Sequence, residues 1–128
     1  MEINEINYVD YAEKVIKGLG ENKKGKAGSR LTTTKIRNIL SMVSEIYNEV
    51  THIQGDKLSL EMVERIQYLR LRIVYESGRD KDVKNFIDKS KLLLVLKNVG
   101  DSKRNFLLFC RYMEALVAYH RFYGGRDN

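Results

Sequence analysis

The chain has 128 residues, the length of one domain, and its 23 Lys and Arg against 17 Asp and Glu leave a formal charge of +6. Hydrophobic residues make up 43%, too many for a disordered chain and enough to build a core without staples. The single cysteine, Cys110, excludes an internal disulfide framework and fits a reducing cytoplasm, and no apolar run reaches the roughly 18 residues of a membrane span.

Residues Met1–Glu5 are acidic and lack the layout of a signal peptide, so the expected location is cytoplasmic. Val9, Ala12, Val15, Ile16 and Leu19 then recur every three or four residues and predict a first helix. From about residue 18 to 30 the composition changes: glycines alternate with Lys23, Lys24, Lys26 and Arg30, which predicts a mobile basic loop. A second helix follows over Ile36, Ile39, Leu40, Val43, Ile46, Tyr47 and Val50, with Thr32 or Thr33 as its cap. Gly55-Asp56 breaks the chain. Ser59 can start a third helix carrying Met62, Ile66, Leu69 and Ile73 on one face, with its stop near Gly78. Val83 to Val99 reads as one helix or two short ones, since the run Leu92–Leu96 has no partner strand. After Gly100, with Asp101 or Ser102 as cap, the segment to Tyr123 is apolar nearly all round, as the central helix of a bundle would be. With no proline to interrupt any helix, the expected fold is a single all-α domain over 1–128, a compact bundle of about five helices.

Catalytic signatures fail one by one. Gly20-x-x-x-x-Gly25-Lys26 nearly spells a phosphate-binding P-loop, but Ala27 stands where Ser or Thr must ligate Mg²⁺, and a helical pattern precedes it instead of a strand. His52, His120 and Cys110 are too few and too far apart for a zinc site. His120 reads as a histidine at the edge of the core, and Asp80/Asp82 as a helix N-terminus favoured by the dipole. The second helix places Glu45 and Glu49 on its polar face, unlike a Lys-rich helix that lies on membranes. No catalytic residue, cofactor or metal is expected, and no membrane partner.

Charge is segregated along the chain. Eight basic residues face the single acid Glu21 between Lys14 and Arg37, and five face Glu114 between Lys103 and Arg126. From Asn38 to Glu64 the balance reverses, and Glu45, Glu49, Asp56, Glu61 and Glu64 face only Lys57. A polyanion partner accounts for such blocks, and so do ordinary solvated faces. The third helix is more specific. At ~100° per residue, Arg65, Arg72 and Arg79 fall within roughly 40° of one another, interleaved with Tyr68 and Tyr75, on a stripe roughly opposite the apolar one. Guanidinium groups suit phosphates and aromatic rings suit sugars and bases. The other reading has both tyrosines packed under a neighbouring helix.

Beyond these patterns, the chain from about Leu31 to Gly125 resembles the small helical subunit of type III-A CRISPR interference complexes, the Csm effector. The resemblance rests on Leu31-Thr32-Thr33-x-x-Ile36-Arg37-x-x-Leu40, on Leu69 to Tyr75 closing in Gly78-Arg79, and on Val83-Lys84-x-Phe86. Its most specific part is the C-terminal run Phe106-x-x-Phe109-x-x-Tyr112-x-Glu114-Ala115-x-Val117-Ala118-Tyr119-His120-x-Phe122-Tyr123-Gly124-Gly125.

That resemblance implies a non-catalytic, all-helical, RNA-binding subunit. Copies of it would stack beside the backbone and large subunits of the complex, along the duplex of guide RNA and target RNA. It would hold the RNA backbone through basic side chains without reading sequence, because guide–target pairing supplies the specificity. Arg37, Arg79, Lys84 and Arg121 lie inside the matching motifs; the helical stripe and the charge blocks add Lys35, Arg65, Arg72 and Arg111. Two other functions compete. One is a protein–protein scaffold whose basic faces meet the Glu45/Glu49/Glu61/Glu64 region of a neighbouring copy. The other is a small helical DNA-binding regulator, disfavoured by the acidic first turn of the third helix.

Overall fold

A computed structural model describes residues 2–21 and 31–125. Among these residues six helices form: α1 (Tyr8–Glu21), α2 (Thr33–Val50), α3 (Leu60–Arg79), α4 (Lys81–Ser90), α5 (Leu92–Lys97) and α6 (Lys103–Phe122). Their starts follow local chemistry. Thr32, Ser59 and Ser102 each accept a hydrogen bond from the backbone N–H three residues on, at 3.1–3.2 Å, and so satisfy a donor the helix itself leaves open. Asp80 does the same for α4, accepting from the N–H groups of Asp82 and Val83 at 2.9 and 3.2 Å.

Helix α6 is the hub. It packs against α1, α2 and α5, and buries Phe106, Phe109, Cys110, Tyr112, Met113 and Leu116 completely or nearly so. Burying a side chain of this size contributes about 1.5–3 kcal/mol relative to leaving it in water, so this one helix supplies much of the driving force. Helix α1 runs parallel to α6: Glu5, just before α1, meets Arg104, while Glu13 accepts from the Tyr123 hydroxyl beyond the far end of α6. Helix α2 runs the opposite way, with Thr33 beside His120 and the Ile53 carbonyl accepting from the Lys103 ammonium at 2.6 Å. Helix α3 lies antiparallel to α2, and α4 and α5 close the bundle. No buried side-chain nitrogen or oxygen among the described residues lacks a partner. The Tyr112 hydroxyl, for example, donates to the Ser90 carbonyl at 2.7 Å.

The all-α expectation holds, and most of the apolar stripes predicted for α2 and α3 are buried: Ile36, Ile39, Val43, Ile46 and Val50, then Met62, Ile66, Leu69 and Ile73, while Leu40 is half-buried and Tyr47 exposed. Three details differ. Helix α1 continues through Gly18 and Gly20 to Glu21, because buried Leu19 extends the apolar stripe past the first glycine. The rest of the expected basic loop, including Gly25 and Lys26 of the near P-loop, lies outside the described residues. Gly78 is helical, and α3 ends one residue later because Asp80 turns the chain and caps α4. The segment from Val83 to Val99 takes the second of its two expected forms, two short helices, parted at Lys91, which takes a left-handed conformation at φ 61°. Finally, α6 is not enclosed: Arg104, Arg111, Glu114, Ala118, Arg121 and Phe122 leave one side open to solvent.

Candidate nucleic-acid interface

Because α2 and α3 lie antiparallel, the cleft between them joins residues distant in sequence. One end is lined by Lys35, Asn38, Arg72, Glu76, Arg79 and Asp80, over Ile39 and Met42. Three of the expected RNA-binding residues, Lys35, Arg72 and Arg79, therefore line the same end of the cleft. Each is differently engaged. The Lys35 ammonium sits 2.6 Å from the Asp80 carboxylate, and this hydrogen bond, helped by the two N–H groups that Asp80 caps, holds that carboxyl below its ordinary value. The Arg79 guanidinium lies 3.4 Å from Glu76 and 5.6 Å from the centre of the Tyr75 ring, a cation–π contact. Arg72 makes no ion pair among the described residues.

The other end of the cleft is acidic, lined by Glu45, Glu61 and Glu64 around Met42, Ile46 and Leu69. Arg65 belongs here. Its guanidinium pairs with Glu49 of α2, and that hydrogen bond lowers the Glu49 carboxyl below its usual range. The stripe on α3 thus does not lie opposite the apolar face, as the wheel suggested. It starts at the edge of the α2 contact with half-buried Arg65 and only then turns outward. Tyr68 and Tyr75 are each 60% exposed, so neither packs under a neighbouring helix.

The remaining expected residues lie elsewhere. Arg37 is exposed on α2, and Lys84 on α4 pairs with Asp88 at 2.9 Å, one turn on. Arg111 is exposed near the middle of α6 and Arg121 at its C-terminal end. The structure therefore brings Lys35, Arg72 and Arg79 together, and leaves Arg37, Lys84, Arg111 and Arg121 on separate surfaces.

Two features escape a reading of the sequence. Asp56, between α2 and α3, accepts from the Arg104 N–H at 2.8 Å and from the Ser102 hydroxyl at 3.2 Å, and so caps a helix 46 residues away. Beside it Lys103, Arg104 and Arg111 line a hollow with Glu5, whose carboxyl is lowered chiefly by its hydrogen bond to Arg104. The second is at the other end of α6. Here the Tyr119, Phe122 and Tyr123 rings cluster at 5.0–6.4 Å, next to Lys17. In both cases the partner is far off along the chain, and only the position of Lys103, Arg104 or Phe122 near a helix end gives any local signal.

No metal-ligand cluster assembles among the described residues: no three His, Cys, Asp or Glu side chains approach closely enough to hold a metal ion. Burial raises the Cys110 thiol well above its ordinary value, away from a nucleophilic thiolate. His120 is buried as expected, bonded to the Leu31 carbonyl. No described helix is long and apolar enough to cross a membrane. The connection from α2 to α3 spans residues 51–59, much longer than the turn of a helix-turn-helix reader.

Comparison with known proteins gives these observations their setting. Residues 6–126 match the family model described as Csm2 Type III-A. A protein named "CRISPR system Cms protein Csm2" from Streptococcus thermophilus is 43% identical over 121 residues, covering 94% of each chain. Its namesake from Mycobacterium tuberculosis strain H37Rv is 42% identical over 127 residues, covering 99% of each. That from Enterococcus italicus is 37% identical over 128 residues, covering 90% of this chain and 88% of its own. Family model and relatives agree over nearly the whole length, and the resemblance carried by the C-terminal run is thereby established: the chain belongs to the type III-A Csm2 family.

Proposed function

We propose that this protein is a non-catalytic small subunit of a type III-A CRISPR effector complex, and that it holds the backbone of the guide–target RNA duplex without reading sequence. The observation that carries the reading is the outward face of α3. Tyr68 and Tyr75 stand in solvent beside Arg72, whose guanidinium has no anion to serve within the described residues. An exposed arginine flanked by exposed tyrosines suits phosphate and sugar contacts. Lys35, Arg79 and Lys84 support it from surface ion pairs, which contribute little to stability and are readily exchanged for phosphate. Arg37, Arg111 and Arg121 extend the basic surface to other faces, as several contacts in one assembly require. Neighbouring copies and the backbone and large subunits are the proposed protein partners, and no cofactor is needed. Repeated copies make a weak affinity at each site sufficient.

The test is RNA affinity as a function of salt. Binding should weaken steadily as salt rises, with similar slopes for unrelated sequences. A slope near zero, or strong preference for one sequence, overturns the proposal. A second reading, a scaffold without RNA contact, draws on the acidic end of the cleft, where Glu45, Glu61 and Glu64 offer a docking place for basic residues of another copy. Self-association that dissolves in salt and ignores RNA would favour it.

A further inference from the structure

The aromatic cluster at the C-terminal end of α6 lies at the edge of the core, with half-buried Tyr119 packed against it and Phe122 and Tyr123 exposed. Phe122 is 75% exposed, yet it does not stand alone. The Tyr119 ring lies 6.4 Å from it and the Tyr123 ring 5.0 Å, both edge-to-face, so no ring stacks parallel on Phe122. Three rings meeting at a solvent-facing helix end differ from the scattered apolar residues found on any surface.

The cluster is held rigidly. The Tyr123 hydroxyl donates to the Glu13 carboxylate at 2.6 Å, and the Lys17 ammonium lies 5.9 Å from the Tyr123 ring centre. The backbone closes beneath it: the N–H groups of Tyr123, Gly124 and Gly125 donate to the carbonyls of Tyr119, Arg121 and His120 at 2.9, 3.1 and 2.8 Å. Gly124 makes this turn at φ 92°, a conformation that favours glycine. Its setting is cationic. Lys17 is exposed across from the rings, Arg121 is exposed beside Phe122, and Glu13 is tied to the Tyr123 hydroxyl. Along the outer side of α6, Arg111 stands on nearly the same line as Phe122, about 16 Å away, with Ala118 exposed between them.

We infer that Phe122, supported by Tyr119 and Tyr123 and flanked by Lys17 and Arg121, is a stacking site for an unpaired RNA base. An exposed ring among cations, beside a glycine turn, suits the π-face of any base and the phosphates next to it. The inference rests on the RNA-binding reading above, and assigns to this site unpaired bases in addition to duplex backbone.

The experiment uses the full chain and a short single-stranded RNA carrying 2-aminopurine, compared with the same strand containing abasic positions. Phe122→Ala should weaken binding of the intact strand by ~5- to 150-fold and abolish quenching of 2-aminopurine, while leaving the salt slope unchanged. Phe122→Trp should restore both. On the abasic strand, wild type and Phe122→Ala should bind alike. Salt-dependent binding that is indifferent to Phe122→Ala and to abasic positions overturns the stacking site and leaves the RNA reading standing. Absence of salt-dependent RNA binding in the wild type overturns both. Loss of self-association in Phe122→Ala with unaltered RNA binding assigns the rings to a protein contact and overturns the inference.

Discussion

His120, near the end of α6, donates its Nε2–H to the carbonyl of Leu31 at 3.0 Å and so fastens the C-terminal helix to the residue that leads into α2. With Nε2 protonated, Nδ1 is the acceptor for the Thr33 hydroxyl at 3.2 Å. A neutral ring satisfies both contacts. Burial accordingly holds the pKa below its ordinary 6.5, with the Leu31 carbonyl as a smaller opposing influence. The unfolded chain therefore binds the proton at a higher pH than the folded one. The stabilisation is complete above about pH 6.5 and is lost as pH falls below that through the lowered folded value. Melting temperature should drop across this window, ahead of any carboxylate titration, and His120→Gln should flatten the drop. Parallel pH profiles for the two proteins would remove His120 as the cause.

The glycine pair after α6 is the second point of strain. A Cβ on Gly125 would lie 2.2 Å from His120 Nδ1 and 2.6 Å from the His120 carbonyl oxygen, so the backbone must move. Gly125→Ala should cost about 1–3 kcal/mol in urea denaturation, the range of an overpacked site. Gly18 gives the opposite sign. It lies inside α1 with nothing within 4 Å of the added carbon, and Gly18→Ala should stabilise by about 0.5–1 kcal/mol. Equal effects at both positions would contradict the account.

The contrast between Gly125 and Gly18 shows what was legible beforehand. Periodicity located the helices, because a buried stripe such as Ile36, Ile39, Val43 and Ile46 repeats with the helix itself. Caps at Thr32, Ser59 and Ser102 were readable for the same local reason. The ends of α1 and α3 were not, since glycine permits a stop without requiring one. Pairings across the fold were the least accessible. The helical wheel puts Arg65 in one file with Arg72 and Arg79, but the antiparallel approach of α2 brings Glu49 to Arg65 and, among the described residues, no carboxylate pairs with Arg72. Which cation is spent inside the chain depends on that approach, not on spacing.

Lys91 breaks the leucine-rich segment where no glycine or proline marks a boundary. It adopts φ 61°, disfavoured for a residue with a Cβ, and its N–H donates to the Asp88 carbonyl at 3.4 Å. Lys91 is exposed and its side chain caps nothing. Lys91→Gly should therefore stabilise the protein by up to about 1 kcal/mol, the relief of strain being partly offset by a freer unfolded chain. A destabilised variant, measured by the same urea transition, would mean that the lysine stem packs usefully against α4 or α5.

Tyr112 tests the joint between α6 and the end of α4. Its ring is wholly buried and its hydroxyl donates to the Ser90 carbonyl at 2.7 Å. Removing the hydroxyl preserves the ring's packing and leaves that carbonyl short of a donor. Tyr112→Phe should cost about 1–2 kcal/mol, against the 3–5 kcal/mol typical of truncating a large core ring to alanine. Hydrogen exchange should quicken first around Ser90 and Lys91. A variant as stable as the parent would show that another group takes over the carbonyl.

Arg65 and Arg72 separate the cation that serves the fold from the one that serves a polyanion. They sit seven residues apart on nearly the same side of α3, yet Arg65 is committed to Glu49 while Arg72 pairs with no carboxylate among the described residues. If the α3 face meets RNA, Arg72→Ala should weaken binding of all sequences alike and reduce the salt slope by about 1, the signature of one lost phosphate contact. Arg65→Ala should do less, because its charge is already compensated. Glu49→Gln uncovers the Arg65 guanidinium and should strengthen RNA binding without changing sequence preference. Three variants on one titration thus decide the point: if Arg65→Ala proves as damaging as Arg72→Ala and Glu49→Gln is silent, the ion pair does not govern which arginine faces the RNA.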